Sequence, residues 1–103
     1  MPEDYKIYIE REGNTIIFFL VGTMNNSAST YFKKLVQEQD KAENYILDFA
    51  RVSFVGSSFF GAMLYAKDFF DTDYNNFSMV KVSPFINKMF SAVKFETIFK
   101  IEP

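Results

Sequence analysis

The chain has 103 residues, 49% of them hydrophobic, and a formal charge of −2. That balance suits one globular domain and excludes a disordered chain or a basic nucleic-acid binder. With no cysteine and no histidine, disulfides, thiolate chemistry and Ser-His-Asp or Cys-His triads are ruled out.

The first element is predicted at Tyr5–Glu10, where Tyr5, Ile7 and Ile9 alternate with Lys6, Tyr8 and Glu10. A period of two marks a half-buried strand near a sheet edge. Glu12-Gly13-Asn14 has turn chemistry, which makes the next run the second arm of a hairpin. That run, Thr15–Val21, is apolar almost throughout, so it is expected in the sheet centre with both faces buried. Gly22 closes it.

Asn25, Asn26 and Ser27 offer caps for a helix whose apolar stripe is Ala28, Tyr31, Phe32, Leu35 and Val36. A strand over Asn44–Phe49 follows, ending near Asp48, then a connection over Ala50–Val55. Gly56-Ser57-Ser58 opens a helix running to about Phe70. The Asp71–Asn76 segment reads as a loop, Ser78–Val82 as a short strand, and Ser83-Pro84 as a helix start. Phe85, Ile86, Met89, Phe90 and Val93 are the expected buried face of that helix, and Thr97–Ile101 a final strand. The order β-β-α-β-α-β-α-β describes one α/β domain over residues 1–103, with a mixed sheet, parallel central strands and packed helices.

The stretch from Tyr45 to Phe70 carries the candidate chemistry. A strand delivered into a helix whose first turn bears two hydroxyls, Ser57 and Ser58, exposes unpartnered N–H groups at the positive end of a dipole. Such a serine can cap the helix, bind an anion or accept a phosphoryl group. Asp48 reads either as a functional carboxylate at a strand end or as a local cap. Asn25 and Asn26 cap the first helix and could border the same edge as Ser58. Phe59 is expected to be exposed beside Ser58 as a partner-binding anchor, with Phe69 and Phe70 buried. Asp68, Asp71 and Asp73 read as a solvated loop rather than a metal cluster.

The element order together with Phe54-Val55-Gly56-Ser57-Ser58-Phe59-Phe60-Gly61 resembles the STAS family, whose best-known members are bacterial anti-sigma-factor antagonists. Ser57, Ser58 and Gly61 match that family's Asp-Ser-Ser/Thr-Gly-Leu-Gly segment, Phe60 stands in for its Leu, Asp48 matches its strand-end acid, and Gly22 matches a glycine after its second strand. Gly56 replaces the family's Asp, and Phe59 its first Gly. The resemblance implies a non-enzymatic switch with no cofactor. Its protein partners would be an anti-sigma factor that is also a serine kinase, and a phosphatase. Ser58, or alternatively Ser57, would be the phosphoacceptor, and Gly56, Ser57, Phe59, Asn25 and Asp48 would contribute to partner binding. Two other roles stay open: a phosphorylation-independent interaction module, and a small-molecule or nucleotide-binding domain, although no Walker or dinucleotide loop is present. No metal, nucleic-acid or membrane partner is expected. The charged N-terminus and the lack of an 18–20-residue apolar run point to a cytoplasmic address.

Overall fold

A computed structural model describes residues 4–103. The elements are β1 (Tyr5–Glu12), β2 (Thr15–Met24), α1 (Asn26–Gln37), β3 (Asn44–Val55), α2 (Ser57–Phe69), β4 (Phe77–Val80), α3 (Pro84–Ala92), a 3-10 turn (Phe95–Thr97) and β5 (Lys100–Ile101). Among the described residues the strands form a five-stranded sheet in the order β1-β2-β3-β4-β5. β1 is antiparallel to β2, and the remaining pairs are parallel. The expected mixed sheet with parallel centre is therefore present.

A sequential parallel order has a consequence for the helices. Crossovers of one hand, repeated in one direction along a sheet, deposit every helix on the same face. The contacts show this. Phe32 of α1 meets Phe18 of β2 at 5.2 Å, Phe70 after α2 stacks on Tyr45 of β3 at 4.0 Å, and Phe90 of α3 meets Phe49 of β3 edge-on at 5.4 Å. Ile16, Phe18, Leu20, Tyr45, Leu47, Phe49, Phe77 and Met79 are buried under that helical layer. The opposite face of β2, Ile17, Phe19 and Val21, is only half-buried, because no described helix crosses it. The expectation that β2 is buried on both faces is corrected accordingly.

β2 and β3 also run further than their composition suggests. Phe19 pairs with Asp48 but Val21 pairs with Arg51, and a second shift falls between Gly22 and Thr23. Each shift admits an extra residue into β3, which breaks the alternation of side chains and hides the strand in the sequence. Residues Ala50–Val55 are thus strand rather than connection. Gly22 sits inside β2 with φ +87°, and a Cβ there would collide with the Asp4 carbonyl oxygen. Only glycine relieves both constraints.

The end of the chain departs from expectation too. Lys94 adopts φ +59° and starts the 3-10 turn, so the final strand shortens to Lys100–Ile101. Ile86 and Phe90 are buried on α3, whereas Phe85 and Val93 face solvent. Phe69 is exposed and Phe70 buried. The last turn of α2 has one side against the sheet, so adjacent residues cannot both reach the core.

Candidate functional site

β2 and β3 end side by side, and the helices that follow them start there. Met24 pairs with Val55, and the Gly56 N–H donates to the Met24 carbonyl oxygen at 2.9 Å. The starts of α1 and α2 therefore meet at the carboxyl ends of two parallel strands, where open α/β sheets place their sites. Asn25, Asn26, Ser27, Phe54, Gly56 and Ser57 line a shallow groove of about 530 Å³ at this corner.

The two helix starts are built differently. Asn25 Oδ1 accepts from the Ala28 N–H at 2.9 Å, capping α1. Gly56 is extended, with φ −81°, and offers α2 no side-chain cap. Ser57 is exposed and Ser58 half-buried in the first turn of α2. Ser58 is fastened to the neighbouring helix through Ser29, a buried residue of α1. Ser29 Oγ gives its proton to the Asn25 carbonyl oxygen at 2.8 Å. A hydroxyl carries one proton, so in the 3.0 Å contact between the two serines Ser58 donates and Ser29 accepts. The hydroxyl of Ser58 is held at the boundary between the two helices, with its lone pairs uncommitted by any described hydrogen bond.

Phe59 occupies a different place from the one expected. It is 0% exposed and meets Phe32 of α1 at 5.1 Å. Phe59, Ala62, Met63 and Ala66 form the face of α2 buried against α1 and the sheet, while Phe60 turns toward Phe90 and Phe95 at 5.9 and 5.1 Å. The helix is clamped on two sides, which accommodates both phenylalanines of one turn. The exposed aromatic at the corner is Phe54, 45% accessible, on the last bulged stretch of β3. Reading Ala50–Val55 as a loop concealed it. Ser29 was concealed as well, although its spacing four residues after Asn25 places it on the same flank of α1.

Asp48 is not part of this corner. β3 continues seven residues beyond it to Val55, while its partner strand advances five, from Phe19 to Met24, about 17 Å at ~3.3 Å per residue. Its Oδ1 accepts from the Ala50 N–H at 2.9 Å, a group released by the first shift in register, and its Oδ2 lies 3.6 Å from Lys81 Nζ. The carboxylate thus satisfies a strand irregularity, which accounts for its 7% exposure. Among the described residues no three acidic side chains gather as a metal site, and no helix is long and apolar enough to cross a membrane.

Comparison with known proteins gives the fold a lineage. An anti-sigma factor antagonist from Mycobacterium paratuberculosis superposes with a TM-score of 0.79 at 14% identity, covering 100% of this chain and 89% of that one. The unphosphorylated form of the anti-sigma factor antagonist SpoIIAA gives 0.78 at 20% identity, over 93% and 87%. The phosphorylated form of the Bacillus cell fate determinant SpoIIAA gives 0.71 at 19% identity, over 93% and 90%. No curated protein matches by sequence. The sequence itself matches the STAS domain over residues 6–103, the span from β1 to β5 that builds the sheet and both converging helices, and the chain belongs to the STAS domain family.

Proposed function

We propose that this protein is an anti-sigma-factor antagonist, switched between partners by phosphorylation of Ser58. One observation carries the reading: Ser58 is half-buried at the junction of two helix starts, its O–H directed to Ser29. A kinase that is also the anti-sigma factor would transfer the γ-phosphoryl group of ATP to Ser58 Oγ. The O–P bond forms, ADP departs, and the hydroxyl proton passes to the kinase's base. The phosphate adds about −1.5 to −2 charges at pH 7. The positive ends of α1 and α2 tolerate that charge within the domain, but a packed interface over Phe54 and Ser57 would have to desolvate it. Phosphorylation therefore releases the partner, and a phosphatase restores binding. That the phosphorylated form of SpoIIAA keeps this fold supports a modification that acts on the surface rather than on the core.

The docking surface in this reading consists of Asn25, Asn26, Gly56, Ser57 and the exposed ring of Phe54. Phe59 supports it from beneath. Incubation with the anti-sigma kinase and ATP, followed by mass mapping, should place phosphate on Ser58, with Ser57 the alternative; an unmodified pair of serines would end the proposal. Ser58→Asp should weaken partner binding at least tenfold, about 1.4 kcal/mol, with the far-ultraviolet circular dichroism unchanged. Gly56, which lacks the carboxylate that the family places next to this serine pair, favours a second reading as a phosphorylation-independent interaction module. In that case Ser58→Asp leaves affinity unaltered.

A further inference from the structure

The outer edge of β1 is a second surface with a readable pattern. β1 is the outermost strand, eight residues long, and no described residue pairs with its outer side as a strand. Gly13 and Asn14 make a two-residue turn, so the closing pair Glu12–Thr15 is hydrogen-bonded and the even-numbered residues of β1 face β2. The bond from Thr23 N–H to the Asp4 carbonyl oxygen fits that parity. The N–H and C=O groups of Ile7 and Ile9 accordingly point to the open edge. Alongside runs a groove of about 440 Å³, lined by β1 residues and by Tyr31 of α1. From Lys6 to Glu12 this edge carries no proline and no bulge and pairs with no other strand among the described residues, which makes it a template for another strand.

We propose that the occupant of this edge is β1 of a second copy of the chain, paired antiparallel about a two-fold axis at Tyr8. The sequence Lys6-Ile7-Tyr8-Ile9-Glu10 is self-complementary around that centre. Lys6 lies opposite Glu10 of the second copy, Ile7 opposite Ile9, and Tyr8 opposite Tyr8. Opposite charges, matched apolar residues and paired aromatics are the cross-strand combinations that stabilise a sheet. The hydrogen-bonding parity agrees, because Ile7 and Ile9 both present edge groups and form the bonded pair, leaving Tyr8–Tyr8 as the closer, non-bonded pair. Neighbouring registers do worse. Centring on Ile7 sets Asp4 against Glu10, and centring on Ile9 sets the buried Ile7 against Arg11. In the Tyr8 register the like-charged Asp4 and Glu12 meet only at the ends of the ladder, where both are exposed. Charges on an edge strand ordinarily discourage pairing; here their placement selects one register and one partner. The product is a continuous sheet across two copies, an isologous contact that closes on itself and does not propagate.

Sedimentation velocity over a concentration series should show a monomer–dimer equilibrium. Lys6→Glu converts two attractive pairs into two repulsive ones and should raise the dissociation constant about tenfold, and Lys6→Glu combined with Glu10→Lys should restore it. The absence of cysteine allows a geometric test that also detects weak association. Tyr8→Cys, oxidised with diamide, should give a covalent dimer, since the two residues face each other across a closely spaced pair. Lys6→Cys should not, because residue 6 of one copy lies four positions from residue 6 of the other. A protein monomeric at every concentration whose Tyr8→Cys variant also fails to cross-link would overturn the proposal. So would a dimer indifferent to Lys6→Glu, which would place its interface elsewhere.

Discussion

The helices α1 and α2 start side by side, after two paired parallel strands, yet one start is sealed and the other open. Asn25 closes α1 with its side chain. Gly56 gives α2 nothing but a backbone carbonyl, and the first turn it leaves behind carries the two serines. Below the surface the two helices are alike: α2 buries Phe59, Ala62, Met63 and Ala66, and α1 buries Ala28, Ser29, Phe32 and Val36. The second helix is held by its body, the first by its cap as well. In the switch proposed above, that division lets Ser58 gain a charged group without any cap being broken, while the packing beneath keeps the turn in place.

The contrast is broken most severely by removing the aromatic under α2. Phe59→Ala deletes a fully buried ring in contact with Phe32 and should cost about 3–5 kcal/mol, read as a lowered denaturant midpoint. A loss below about 1 kcal/mol, the range of exposed positions, would contradict the buried placement. Asn25→Ala tests the other helix. Loss of its cap should cost about 1 kcal/mol, with protection of the Ala28 amide against hydrogen exchange falling in parallel.

The elements that local chemistry determines were readable in the chain: the β1–β2 hairpin through Gly13-Asn14, the α1 stripe through Phe32 and Val36, and the Ser83-Pro84 start of α3, whose Ser83 Oγ does accept from the Ile86 N–H at 3.2 Å. The misplaced features around the site depend on neighbours distant in sequence. Two shifts of register erase the period of β3, so Phe54 looked like loop and Asp48 like a strand end. Which phenylalanine of the Phe59-Phe60 pair turns inward depends on α1 and α3 packing on opposite flanks of α2. Periodicity alone could not tell a helix held on two sides from one with an exposed aromatic. The serine pair itself was legible, because a glycine followed by two hydroxyls at a helix start has few structural alternatives, but its fastening to Ser29 is a tertiary contact and left no mark in the local sequence.

Within α2 a smaller effect sharpens the comparison further. Gly61 lies in the helix, exposed, with ordinary backbone and open space where a Cβ would sit. Gly61→Ala should therefore stabilise the protein by about 0.5–1 kcal/mol, seen as a higher melting temperature. If the same variant binds the proposed anti-sigma partner more weakly, the glycine marks a close approach of that partner on this side of Ser58.

The smallest effect on stability is expected where the two helix starts differ most. Gly56 has φ −81°, open to any residue, and a Cβ there would stand 3.3 Å from the Met24 carbonyl oxygen, close enough to require a shift of a few tenths of an ångström. An aspartate can accept from an N–H of the first turn, and the gain over glycine as a cap is only about a few tenths of a kcal/mol. The two terms nearly cancel, so Gly56→Asp should leave the denaturant midpoint almost unchanged while sealing α2 as Asn25 seals α1. Its effect on modification is the informative quantity. The carboxylate would stand at the rim of the groove next to Ser57, within reach of a docked kinase but outside the Ser29–Ser58 contact. If the acid acts by engaging the kinase, the rate of phosphate incorporation at Ser58 should rise in Gly56→Asp at constant stability. An unchanged rate would show that the open start of α2 already presents the hydroxyl as well as a capped one does, and that the contact with Ser29 suffices to position it.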